Sequence, residues 1–124
     1  MLVAEDNAIN QKVVLAMLTR LGCRVDLVVT GLEAVAAVGR SRYDVVFMDL
    51  QMPDMDGLTA MRQIATEHPA GHRPRVVALT ANAFAEDRHA CLAAGMDDYL
   101  SKPLRMDELR ATLARVLRVQ RASA

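Results

Sequence analysis

Val45-Val46-Phe47-Met48-Asp49-Leu50-Gln51-Met52-Pro53-Asp54-Met55-Asp56-Gly57 is the stretch that decides the fold. Its first four residues are apolar without a break. An uninterrupted apolar run of this length reads as a strand buried on both faces, which places it at the centre of a parallel sheet covered by helices. The run ends on a carboxylate, and a polar loop with Pro and Gly follows. Three further short runs end on polar groups: Met1-Leu2-Val3-Ala4 on Glu5 and Asp6, Val76-Val77-Ala78-Leu79 on Thr80, and the less apolar Asp98-Tyr99-Leu100-Ser101 on Lys102. Residues that end parallel strands converge at one edge of the sheet, where α/β proteins place their sites. Three carboxylates, a hydroxyl and an ammonium meet there, a set suited to metal-assisted phosphoryl transfer.

Helical patterns separate the runs. Asn7 is the expected N-cap of the first helix, whose stripe is Ile9, Val13, Met17, Leu18 and Leu21, with Gly22 as its end. Val25 and Leu27 alternate with polar neighbours, as in an edge strand. Thr30 caps a second helix that turns Leu32, Val35 and Val38 inward. The third helix carries Leu58, Met61 and Ile64 and stops near His68-Pro69. After a polar loop over 69–75, the fourth runs from about Ala83 to Ala94 and ends at Gly95. The fifth uses Leu109, Leu113, Val116 and Leu117. Alternating strands and helices imply right-handed crossovers. The expected fold is therefore α/β, a doubly wound five-stranded parallel sheet of flavodoxin-like type. Its strand order, 2-1-3-4-5, is the known order for such folds. The order reverses between strands 1 and 3, so Glu5, Asp6 and Asp49 face one another across the crevice.

The chain has 124 residues, 52% hydrophobic, with no Trp. That suits one domain with an aliphatic core, expected over 1–120 with 121–124 as a C-terminal tail. A net charge of zero argues against nucleic-acid binding through a broad basic face. No apolar run approaches the ~20 residues of a membrane span, and the N-terminus shows no signal-peptide pattern. Cys23 and Cys91 lie far apart without metal spacing and read as reduced core residues of a cytoplasmic domain. Only four residues precede Glu5, short for a buried central strand, so the expectation is a domain cut from a longer protein with its first strand clipped.

Four motifs, in order and spacing, carry a family resemblance over essentially the whole chain: Leu2-Val3-Ala4-Glu5-Asp6-Asn7, Phe47-Met48-Asp49 through Asp56-Gly57, Ala78-Leu79-Thr80-Ala81-Asn82-Ala83, and Gly95-Met96-Asp97-Asp98-Tyr99-Leu100-Ser101-Lys102-Pro103. The chain resembles a bacterial response-regulator receiver domain. Asn10-Gln11 and Ala81-Asn82-Ala83 look most like receivers fused to hybrid sensor histidine kinases. The resemblance implies a phospho-acceptor module of a two-component system or phosphorelay, which takes a phosphoryl group from a phosphohistidine and slowly hydrolyses it. A stand-alone response regulator is the alternative context.

Asp49 is the expected nucleophile and phosphorylation site, since a carboxylate can attack phosphorus and carry it as an acyl phosphate. Asp6 and Asp49 would bind Mg²⁺, with the Gln51 backbone carbonyl and, through water, Glu5. Three carboxylates this close repel, so at least one should have a raised pKa without metal. Lys102, one of two lysines beside thirteen arginines, would meet a phosphoryl oxygen. In the family, the bond before Pro103 is cis and aims the lysine inward. Thr80 offers a hydroxyl, and Tyr99 is the expected reporter ring of a conformational switch. The expected partner is a histidine kinase or histidine phosphotransfer domain, docked over Ala8, Ile9, Gln11, Met52, Leu104 and Met106. Neither nucleic-acid nor membrane contact is expected of this domain, and it should be a monomer.

His68, His72 and His89 read as surface residues without a role. Arg115, Arg118 and Arg121 read as a solvated stripe near a helix C-terminus. Asp54-Met55-Asp56-Gly57-Leu58-Thr59 is superficially similar to the Asp-x-Asp-Gly motif of haloacid-dehalogenase-type phosphatases. There the first Asp ends a strand, and Met52-Pro53 argue against one here.

Overall fold

The computed structural model describes residues 1–52, 54–81 and 85–123, without the side chains of residues 70, 85–87 and 118–123. Strands β1 (Leu2–Ala4), β2 (Asp26–Val28), β3 (Val45–Asp49), β4 (Arg75–Thr80) and β5 (Asp98–Ser101) alternate with helices α1 (Ala8–Arg20), α2 (Gly31–Arg40), α3 (Gly57–Glu67), α4 (Ala85–Ala94) and α5 (Met106–Ser123). All pairings are parallel and the order is β2-β1-β3-β4-β5, as expected.

Strand alternation sorts the core into two layers. Val3, Val45, Phe47, Val77 and Leu79 pack with Val14 and Leu18 of α1 and Leu109, Leu113 and Val116 of α5. Leu2, Ala4, Val46, Met48, Val76 and Ala78 pack on the other face with α2, α3 and α4. Every residue of β1 and β3 is buried, which is why those strands read as unbroken apolar runs. The edge strand β2 leaves Leu27 exposed.

The helix ends follow local chemistry. The Asn7 side chain accepts from the Ile9 and Asn10 amides, and the Thr30 hydroxyl accepts from the Glu33 amide. Gly22 and Gly95 adopt left-handed φ of 81° and 104° after α1 and α4, where a Cβ would be strained.

Two stripes differ from expectation. On α1 the buried residues are Val14 and Leu18, whereas Ile9 is 72% and Val13 40% exposed. The helix starts at the rim of the sheet, so its first turn has no strand beneath it. On α2 the buried line is Gly31, Ala34, Val35, Ala37 and Val38, with Leu32 52% exposed. A Cβ on Gly31 would overlap the Met55 carbonyl oxygen, so α2 meets the Met55 backbone closely there, and Leu32 lies off the buried line. Helix α5 runs on through residues 121–123 of the expected C-terminal tail. The expected start of the fourth helix at Ala83, with Asn82, lies outside the described residues, as does Pro53.

Candidate phosphoryl-acceptor and metal site

Strand register builds the site. Ala4 pairs with Met48, which places Glu5 beside Asp49. Asp49 pairs with Leu79 and Thr80 with Ser101, so the strand ends step across the sheet to Lys102. The Lys102 amide donates to the Thr80 carbonyl at 2.7 Å, and the Lys102–Pro103 peptide is cis. The Lys102 ammonium then reaches two carboxylates, Glu5 Oε1 and Asp49 Oδ2, each at 2.9 Å.

Asp49 is 5% exposed, at the floor of a cleft of about 780 Å³. Asp6, Asn10, Gln51, Met52, Asp56, Thr80 and Lys102 also line it. The Gln51 amide donates to Asp49 Oδ1 at 3.0 Å. The Gln51 amide thus holds one Asp49 oxygen and the Lys102 ammonium the other. Glu5 is fully buried, whereas Asp6 is exposed to the cleft.

The loop that carries Asp49 is pinned from below. The Gly57 amide donates to the Leu50 carbonyl at 3.1 Å, and a Cβ on Gly57 would overlap the Asp49 carbonyl oxygen. Asp56 accepts from the Thr59 amide as the N-cap of α3, and Asp54 sits in a left-handed turn at φ 68°. Neither ends a strand, so the geometry that the haloacid-dehalogenase alternative needs is missing at both.

The Glu5 carboxyl is pushed up to about 7. Burial is the largest cause, hydrogen bonding to Asp49 comes next, and repulsion by Asp49 is smaller than either. The expectation of a raised carboxylate holds, but burial outweighs the repulsion offered as its reason. Burial, the largest single effect, would lower the Lys102 pKa, yet the hydrogen bonds to Glu5 and Asp49 and their charge together hold it above the ordinary lysine value.

Glu5, Asp6 and Asp49 bring carboxylate oxygens within 4.8 Å of one another. Glu5 Oε2 is buried and has no hydrogen-bond partner. An all-oxygen anionic donor set with a spare buried oxygen fits a hard divalent cation such as Mg²⁺.

Three features escaped the sequence reading. Gln11 turns its amide inward to the Glu5 carbonyl at 2.7 Å, although it was assigned to a docking surface. Gly57 gives Asp49 its close support. The Arg88 guanidinium stands 5.5 Å over the Tyr99 ring. Only the Asn10-Gln11 motif hinted at the first. Arg115 is not simply solvated: it pairs with Asp98 at 3.0 Å and bonds the Thr112 hydroxyl. The Arg118 and Arg121 side chains lie outside the described residues. Among the described residues no histidine joins a metal cluster.

The sequence model described as "Response regulator receiver domain" matches residues 1–114. The chain belongs to that family. The receiver domain of sensor histidine kinase PA1611 from Pseudomonas aeruginosa PAO1, solved with magnesium coordinated in its active-site cleft, is 48% identical. That match covers 92% of this chain and 93% of the other, with a TM-score of 0.83. Full-length ShkA in complex with AMPPNP is 43% identical over 94% of this receiver and 23% of that chain, with a TM-score of 0.82. Hybrid signal transduction histidine kinase L of Dictyostelium discoideum is 44% identical over 88% of this receiver. The receiver spans only 7% of that kinase's length. Among the described residues no helix is long and apolar enough to cross a membrane.

Proposed function

We propose that this receiver accepts a phosphoryl group on Asp49 from a phosphohistidine, as the phospho-acceptor of a hybrid histidine kinase or phosphorelay. The observation that carries the reading is the buried Asp49 at the cleft floor, with an oxygen on Lys102 and acid neighbours in Glu5 and Asp6. An Asp49 oxygen attacks phosphorus in line, the P–N bond breaks, and its electron pair leaves on the imidazole nitrogen. The product is an acyl phosphate that the domain slowly hydrolyses. Asp6, Asp49 and the Gln51 carbonyl would hold Mg²⁺, with Glu5 acting through water. When bound there, Mg²⁺ would neutralise the crowded acids and screen the phosphoryl oxygens. Lys102 takes up a phosphoryl oxygen, for which it must loosen its grip on Asp49 Oδ2.

Thr80 moves toward the phosphoryl group and Tyr99 turns into the space it leaves, which biases the α4–β5–α5 face between two arrangements. The partner is a histidine kinase or phosphotransfer domain, and the domain acts in the cytoplasm as a monomer.

A small phosphodonor with Mg²⁺ should add one phosphoryl group, labile to hydroxylamine, and Asp49→Asn should abolish it. Persistence of the added mass in Asp49→Asn, or its mapping to a Ser or His, would overturn the assignment.

A further inference from the structure

Gln11 belongs to the Asn10-Gln11 pair that the phosphoryl chemistry leaves without a task. The backbone around the acid pair shows what it does. Ala4 is the last residue of β1, yet the Glu5 amide still donates to the Val28 carbonyl at 3.0 Å. The Glu5 carbonyl belongs to the peptide that joins Glu5 to Asp6. It leaves the ladder at that point and accepts from Gln11 Nε2 at 2.7 Å. One residue later the Asn7 side chain caps α1. The peptide before Glu5 is therefore tied to β2, and the Glu5–Asp6 peptide to the N-terminal turn of α1. Gln11 is half-buried, and its amide donor reaches this carbonyl where no strand amide does.

We infer that Gln11 is a positioning residue of the metal site: it fixes the rotation of the Glu5–Asp6 peptide and so aims the exposed Asp6 carboxylate at the oxygens of Asp49. Without that tie only the peptide before Glu5 is held, by its bond to β2. Asp6 then samples directions in which its carboxylate points away from the cleft. Mg²⁺ selects one geometry and must order it on binding. A full set of ligands is still present, so the loss falls on affinity and not on the chemistry once metal is bound. The inference rests on the metal site proposed above.

Gln11→Met keeps side-chain length and removes the donor. Calorimetric titration of the chain with MgCl₂ should show about fivefold weaker binding, the factor that a net hydrogen bond of about 1 kcal/mol corresponds to. Phosphorylation by a small donor should slow at low Mg²⁺ and recover at saturating Mg²⁺. Asp6→Asn, titrated alongside, should lose binding far more severely. Unchanged Mg²⁺ affinity in Gln11→Met, whether or not its melting temperature falls, makes Gln11 merely structural and overturns the inference. Full binding in Asp6→Asn overturns the metal site itself and the inference with it. A second measurement needs no variant: on titration of the parent chain, the Gln11 side-chain amide and the Glu5 carbonyl carbon should shift together by NMR. Silence at both, while Asp6 responds, also overturns it.

Discussion

At the scale of single residues, burial makes the Glu5 charge unfavourable, and a cation bound beside it would relieve it. Its carboxyl titrates near 7 in the folded chain against about 4.5 when exposed, and burial is the main cause. Between those values the folded chain binds a proton that the unfolded chain does not, so this group makes metal-free stability fall as pH rises through the window. The proton also competes with the cation. Mg²⁺ affinity should therefore rise as pH is raised from 6 to 8 and level off above. Glu5→Gln should flatten that dependence, raise the metal-free melting temperature at pH 8, and weaken Mg²⁺ binding. Equal affinities at the two pH values in the parent chain would contradict this role. The types and positions of these acids were legible in the sequence because each ends an apolar run. Burial is a property of the fold: nothing in Glu5-Asp6 says that Glu5 is sealed in and Asp6 stands open, which is why repulsion was credited ahead of desolvation.

At the scale of elements, the β3–α3 loop is a precision part. Its Gly57 is needed for contact and not for an unusual φ, since the missing side chain lets α3 start directly beneath the Asp49 carbonyl. Gly57→Ala should force that backbone apart, destabilise the chain by about 1–3 kcal/mol in urea unfolding, and slow phosphorylation of whatever remains folded. A variant with parent stability would show that the loop yields freely and that the contact is incidental. Elements of this kind were readable where one residue sets the ending, as at Gly22, Thr30 and Asn7. They were less readable where two elements meet. Leu32 has the spacing of a core residue, but α2 packs through Gly31, Ala34, Val35, Ala37 and Val38, which leaves Leu32 outside. Arg88 over Tyr99 likewise joins α4 to β5, and no local pattern foretells it.

At the scale of the whole molecule, the crevice and an apolar patch share one rim. Ile9 is 72% exposed at the start of α1, the large apolar side chain most open to water among those described. Beside it, Asn10, Val13, Val14, Pro103 and Leu104 enclose a small hollow of about 80 Å³ next to Lys102. Leu104 packs partly against the core, so Ile9 stands open and Leu104 forms the wall. An exposed apolar rim around a charged pit suits a partner that must dock, transfer and leave. Gln11, whose amide is committed to Glu5, contributes little to that surface. A charge at position 9 should then separate the two routes to Asp49. Ile9→Glu should slow transfer from a phosphohistidine-bearing domain by about tenfold, the factor for a contact worth ~1.4 kcal/mol. It should leave phosphorylation by a small donor unchanged, because Ile9 does not line the cleft around Asp49. A side chain this exposed adds little to stability, so the melting temperature should stay within a degree or two of the parent. Equal slowing of both rates would mean that the substitution disturbs the site, and no slowing of either would mean that the partner docks elsewhere. Only a selective loss with phosphohistidine as donor fits a rim that serves the donor protein and leaves the chemistry to the strand ends.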